Sequence, residues 1–284
     1  MKIPKGLQPL VDDGIVDAVV RRLKSGKEAS IFMVACGNEI RCAKVYKEAE
    51  HRGFHKLAQY QEGRKTRSSR DARAMGRGGR HGRKVQEAEW KNAEVDALYR
   101  LANAGVRVPR PHMVYEGVLL MELVQDEHGN PAPRLNEVTL TVGQALRFHA
   151  FMISQIVRML CVGLIHGDLS EYNVLMDANG PVIIDLPQAV DAAGNNNAFR
   201  MLARDINNMR ETFGKTAPEL LTSEYAHEIW QRYEAGELKP DSVLTGHFVH
   251  DEASADVVAV MRQIEDERWE AAERQRRAIE RERA

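Results

Sequence analysis

His166-Gly167-Asp168-Leu169-Ser170-Glu171-Tyr172-Asn173 is the stretch whose reading decides the fold. It follows a helical pattern over 143–164, in which Leu146, Ala150, Ile153, Val157, Leu160 and Leu164 recur three or four positions apart. It precedes two short β-like runs, 173–176 (NVLM) and 182–185 (VIID), joined by an Asp-Ala-Asn-Gly turn at 177–180. The pattern is H-x-D-x4-N, then an apolar strand ending in aspartate. Phosphoryl transfer needs these parts in this order: a carboxylate that takes or orients the proton of the attacking hydroxyl, then an amide oxygen and a second carboxylate that hold a divalent cation against the phosphates. Asp168, Asn173 and Asp185 fill those roles. Taken singly, Asp168 and Asn173 would suit helix caps or turns, and an aspartate after an apolar strand is commonplace. His166 reads as a hydrogen-bonding brace of the loop.

Upstream, Lys44 sits inside the apolar run 40–46 (IRCAKVY). A lysine there points to water from an edge strand or meets an anion. With the Asp168 loop downstream, the second reading is a lysine on the α/β-phosphates paired with a helix carboxylate. Glu94 is the chosen partner, with Glu87 and Glu89 as rivals. Ser25-Gly26-Lys27-Glu28-Ala29-Ser30 precedes the run 30–35 (SIFMVA). Its glycine lets backbone N–H groups approach phosphates, although it is neither a G-x-G-x-x-G nor a Walker A sequence.

The order of elements predicts an α+β, bilobal arrangement: a small β-rich lobe, then a helical one. Residues 1–23 read as a helical lead-in on Ile15, Val19, Val20 and Leu23. Residues 24–121 form the first lobe, with a hairpin turning at 36–39, a helix over 86–104 (Trp90, Val95, Leu98 and Leu101 inward) and a strand at 117–121. Pro109 and Pro111 stop that helix. Residues 51–84 carry eleven Lys/Arg against two acids and close on GRGGRHGR, which reads as a flexible basic insert. Residues 122–124 form a hinge, followed by a proline-marked linker and the second lobe over 125–240, with helices near 198–213 and 219–235. Residues 241–284 read as a charged C-terminal helix.

The 284 residues are 43% hydrophobic and 29% charged, with a formal net charge of -1, as in ordinary globular proteins. The three cysteines, Cys36, Cys42 and Cys161, make no C-x-x-C pair and read as reduced thiols of a cytoplasmic protein. The N-terminus has no apolar signal core, and no run reaches the ~18 apolar residues of a membrane span.

GKEAS at 26–30, LIHGDLSEYNVL at 164–175 and IDLPQAVD at 184–191 resemble the RIO family of atypical serine/threonine kinases, most closely its first subfamily. DEHGNPAPRLNEV after GVLLMELV is similar to that subfamily's hinge and linker, and FRMLARDINNMRETF at 199–213 is similar too. The resemblance spans roughly residues 20–235. It implies a protein-kinase-like fold without activation loop or peptide-binding segment, since Asp185-Leu186-Pro187 stands in place of D-F-G and no A-P-E follows. It implies ATP with Mg2+ (or Mn2+), Asp168 as catalytic base, and Asn173 and Asp185 as metal ligands, Asp185 also being a possible phosphoaspartate acceptor. Lys44 would bind phosphates, paired with Glu94; Ser25, Lys27, Glu28 and Ser30 would fall in the phosphate loop. Glu122 and Val124 would offer backbone groups to adenine, with Met121 behind it, and Asp205 would brace the catalytic loop.

The expected activity is phosphorylation of protein Ser/Thr, the chain's own Thr66, Ser68 and Ser69 included, or ATP hydrolysis as a switch on a ribosomal or other RNA-containing particle. The net +9 of 51–84 is the feature that would meet RNA phosphate; a solvated linker reads equally well. A small-molecule phosphotransferase of the aminoglycoside or choline kinase type shares H-G-D-x4-N, and a non-catalytic nucleotide scaffold would not need the intact set. Protein substrate, lineage and oligomeric state (monomer or dimer) stay open.

Overall fold

Five apolar runs pair into one antiparallel sheet: β1 (Ala18–Ser25), β2 (Ala29–Cys36), β3 (Glu39–Tyr46), β4 (Pro111–Tyr115) and β5 (Val118–Glu122), in the order β1-β2-β3-β5-β4. The computed structural model describes residues 3–26, 29–47 and 80–248, with the main chain alone for 80–91. The chain divides into two compact units, Met1–Gly246 and His247–Ala284, and the described residues fall almost wholly in the first. Lys27, Glu28, residues 51–79 with Thr66, Ser68 and Ser69, and the C-terminal stretch from 249 lie outside the described residues.

The lead-in is helical only at its start, a 3-10 turn at Lys5–Leu7 running into α1 (Gln8–Asp12). Leu7 and Leu10 are fully buried with Phe32, Val34, Ala43, Val118 and Leu120 of the sheet. Val19, Val20 and Leu23, expected on a helix, stand on β1. Its pairing with β2 is irregular between Val19 and Arg21 and again between Arg22 and Lys24. Such bulges break the alternation of period two and leave apolar spacings that mimic a helix. The Gly26 segment therefore joins two strands rather than preceding the first. Pro111, expected as a helix stop, also opens β4, the sheet's edge, where a leading proline is tolerated.

The first lobe is completed by α2 (Arg80–Asn103). It begins earlier than expected and takes residues 80–84 from the stretch read as a flexible insert. Leu98 and Leu101 are buried as predicted, and Val95 is partly so.

In the second lobe α3 (Val142–Cys161) starts at Thr141, whose hydroxyl and the Gln144 side chain form a reciprocal capping box. Its inward face buries Met152, Ile153, Ile156, Val157 and Leu160. Two ribbons follow: β6 (Leu164–Ile165) pairs with β9 (Val190–Asp191), and β7 (Val174–Asp177) with β8 (Gly180–Ile183). Strand β8 stops before Asp185, whose φ of 68° no strand accommodates. Helices α4 (Ala198–Gly214) and α5 (Tyr225–Glu234) pack on α3. Residues 241–248, expected to open the C-terminal helix, are irregular: the buried Glu228 carboxylate accepts the Thr245 and Gly246 N–H groups, which holds that segment in a turn.

Two tests follow from this packing. Leu10→Ala removes a fully buried side chain shared by α1 and the sheet, and should lower stability by about 2–5 kcal/mol in urea unfolding; an unchanged midpoint would detach the lead-in from the core. His149 on α3 is buried between Phe213 and Tyr225, and burial, with Arg210 nearby, lowers its pKa to about 4. A depressed histidine contributes stability that is present above about 6.5 and lost as pH falls toward 4. His149→Gln should flatten the fall of melting temperature between pH 7 and pH 4.5; an identical slope in both proteins would contradict it.

Candidate active site

The sheet and the second lobe enclose a cleft of about 630 Å³, within the range of small-molecule sites. Its roof is Leu23, Ala29 and Ile31, and its floor is Leu175 and Ile184. Met121, Glu122, Leu123 and Val124 line the edge where the lobes join. Lys44 and Asp185 sit at the polar end.

Lys44 belongs to β3 between Ile31 and Leu119 of the flanking strands. Only 8% of it is exposed, and its ammonium pairs with Glu94 Oε1, from α2, which is 4% exposed. The choice of Glu94 is thus observed; the side chains of Glu87 and Glu89 are outside the described residues. Glu94 Oε2 is buried without a hydrogen bond among the described residues. Asp185 Oδ1 lies 3.7 Å from the Lys44 ammonium, and half of the Asp185 side chain is exposed. A non-glycine residue in the left-handed region is strained by roughly 1 kcal/mol, and such strain gathers at functional positions. Here it turns a carboxylate toward the cleft where a continued strand would have carried it elsewhere.

The catalytic-type loop hangs on α4. Asp205 is wholly buried and accepts the N–H groups of Gly167 (2.8 Å) and Leu169 (3.0 Å). Burial pushes its carboxyl up to about 6, against the pull of His166 and those two donors. Arg204 donates to the Gly167 carbonyl, and Asn208 Nδ2 donates to the Leu169 carbonyl at 2.7 Å. His166 bonds the Ile184 carbonyl through Nε2 (3.0 Å) and accepts the Asp168 N–H at Nδ1 (3.3 Å), which fixes the Nε2–H tautomer. The bracing roles of His166 and Asp205 are therefore seen directly. Asp168 itself is exposed. Asn173 Nδ2 donates to the Asp168 carbonyl at 2.8 Å, so its Oδ1 is the end available to a cation.

The other expected residues divide. Met121 and Val124 line the cleft, and the Val124 carbonyl accepts from the Ala132 N–H. The Glu122 N–H is taken by the Arg110 carbonyl, and its carboxylate by Arg107. Ser25 and Ser30 face each other across the β1–β2 turn at 3.3 Å, with Lys47 on Ser25, while Gly26 and Ala29 form the cleft wall there. Sequence reading passed over Lys24, Leu175 and Ile184, and the contact of Arg107 with Glu122 and Asp177. Leu175 and Ile184 were legible as strand residues, but not as the floor of a site.

The donor set fits a magnesium nucleotide. One carboxylate and one amide oxygen are too few for an octahedral shell, which Mg2+ completes with water and phosphate oxygens. The apolar roof and floor suit a planar base, and the ammonium at the polar end suits phosphate.

The RIO domain family model matches residues 30–226. The RIO-type serine/threonine-protein kinase Rio1 of Haloferax volcanii is 36% identical over 205 residues, 72% of this chain and 66% of that protein. Human serine/threonine-protein kinase RIO1 is 28% identical over 211 residues, 74% of this chain and 35% of that protein. The fission yeast rio1 kinase is 27% identical over 188 residues, 65% of this chain and 36% of that protein. The chain thus spans between about a third and two thirds of these relatives. Among solved structures, the Rio2 kinase–ADP/Mg2+–phosphoaspartate complex of Chaetomium thermophilum shares the fold, with a TM-score of 0.51 at 20% identity over 82% of this chain and 74% of that one. With the family's motifs on the loop, hinge and cleft described above, the chain belongs to the RIO family, and within it to the first, Rio1, subfamily.

Proposed function

We infer that the chain is an ATP- and Mg2+-dependent serine/threonine protein kinase of RIO type. The observation that carries this reading is the buried Lys44 ammonium, held by Glu94 at the back of an apolar cleft and facing Asp185. Burying a lysine and a glutamate together contributes little to stability, and apolar replacements often do better. A ligand with negative charge at that end of the cleft gives the pair its use, and the curated relatives named above are kinases.

Bound there, ATP with its metal would supply the phosphoryl group and the charge that neutralises it. Val124 presents its N–H at the base edge, and Leu23, Ala29, Leu175 and Ile184 keep water from the base faces. Lys44 draws the phosphates toward the back of the cleft. Asn173 Oδ1 and the Asp185 carboxylate would hold the cation. Asp168, exposed on a loop fixed by Asp205 and His166, accepts the proton of the acceptor hydroxyl.

A second reading is hydrolysis as a switch. The Chaetomium thermophilum Rio2 complex holds a phosphoaspartate, and Asp185 is the aspartate among the residues lining this cleft. Its carboxylate oxygen would take the γ-phosphoryl, release ADP, and return phosphate to water. The basic stretch 51–84 keeps its place in this reading as a proposed RNA contact.

The test is incubation with γ-labelled ATP and Mg2+. Acid-stable label should appear on serine or threonine, fall by about 10²–10⁴-fold in Asp168→Ala, and vanish in Asp185→Asn. Wild-type transfer by Asp168→Ala would overturn the kinase reading. Acid-labile label on Asp185 with free phosphate, and none on serine or threonine, would favour the switch.

A further inference from the structure

Arg107 lies in the turn between α2 and β4 and is not among the residues lining the cleft. Its guanidinium nonetheless grips the last residue of the hinge strand. Nη1 and Nη2 donate to the two oxygens of Glu122, each at 2.9 Å, and Nη2 also donates to Asp177 Oδ2 at 2.7 Å. Its main chain is anchored in the second lobe: the Arg107 N–H donates to Gln155 Oε1 of α3 at 2.8 Å, and its carbonyl accepts the Ile183 N–H of β8 at 2.9 Å. Arg107, on a turn of the first lobe, is thus a post anchored on the second lobe that grips the hinge.

Glu122 follows Met121 and lies two residues before Val124, so it sets where the base edge meets the chain. Asp177 ends β7, the strand that carries Leu175, and Ile184 follows β8. One guanidinium therefore ties the edge of the cleft to its floor. The Asp177 carboxylate holds its own turn as well, its Oδ1 accepting the N–H groups of Asn179 and Gly180. Burial alone would lower the Arg107 pKa; the bonds to Glu122 and Asp177 outweigh it and raise the pKa. Without the guanidinium, two carboxylates that share one nitrogen would face each other and push hinge and floor apart.

We propose that Arg107 is a positioning residue for nucleotide binding, which holds Glu122 and Asp177 together and so fixes the spacing between hinge and floor. This rests on the kinase reading of the cleft. Replacing Arg107 should weaken ATP binding and spare the chemistry, because Lys44, Asp168, Asn173 and Asp185 keep their own supports.

The experiment uses the full chain. Affinity for a fluorescent ATP analogue with Mg2+ is measured beside KM and kcat. In Arg107→Met, Kd and KM for nucleotide should rise about tenfold, with kcat at saturating ATP within about threefold of wild type. Adding Asp177→Asn removes one of the two opposed charges and keeps the Oδ1 acceptor of the turn. The double variant should recover to within about threefold of wild-type affinity, a coupling that lost packing alone would not produce. Arg107→Lys keeps the charge without the fork; it should give an intermediate KM and supplies the readout if Arg107→Met does not fold. Wild-type affinity in either Arg107 variant, a fall in kcat at unchanged KM, or a double variant no better than the single would overturn the role of Arg107. Failure of the wild-type chain to bind the analogue would overturn the kinase reading instead.

Discussion

The site depends on one buried pair, Lys44 with Glu94. Taking a lysine and a glutamate out of water is unfavourable by several kcal/mol for each ion before their attraction offsets it. Their presence between an apolar strand and an apolar helix face therefore constrains both. Lys44 cannot leave β3 without stranding its charge, and Glu94 fixes the rotation of α2 about its axis. Leu98 and Leu101 then fall inward on the same helix. Because the ammonium also faces Asp185, the pair joins the first lobe to the polar end of the second.

The second constraint is the suspension of the Asp168 loop. Gly167 has a φ of 79°, which side-chain-bearing residues rarely adopt. The loop is held by backbone contacts to α4: Asp205 on two N–H groups, Arg204 and Asn208 on two carbonyls. None of these bonds uses the Asp168 carboxylate. The Asp168 carboxylate is left in solvent while the chain on either side of it is held, as the proposed proton transfer requires. A buried acid is appropriate at Asp205, whose work is to accept hydrogen bonds, and would be out of place at Asp168.

Much of this was legible in the sequence, and the misses have physical causes. The spacing of His166, Asp168, Asn173 and Asp185 is a local property of one loop and one ribbon, so sequence order carried it. Lys44 and Glu94 lie in separate elements; the one lysine of an apolar strand was legible, but the helix offered Glu87 and Glu89 beside Glu94, and only the packing of α2 on the sheet separates them. β1 was missed because two irregularities in its pairing erase the alternation that marks a strand. The Arg107 contact could not be read at all. Its partners are 15 and 70 residues away, and neither distance follows any period of helix or strand.

The segment after Asp185 bears on how an acceptor can be recognised. Only twelve residues, 186–197, separate it from α4, and most are engaged in packing or hydrogen bonds. Leu186, Ala189, Val190 and Ala192 are buried. Val190 and Asp191 pair with β6, Ala192 N–H donates to the Gly163 carbonyl, and Asp191 Oδ1 accepts the N–H groups of Ala193 and Gly194. A protein chain docking along an activation segment needs unpaired backbone or an open groove there, and this segment offers little of either. At the mouth of the cleft, Lys24 on β1 and Arg134 beyond the hinge approach closely enough that burial and the Arg134 charge lower the Lys24 pKa, against the pull of Asp185 and then Glu137. The short connection from Asp185 to the helix whose Asp205 holds the Asp168 loop leaves little of the chain between them outside the packing.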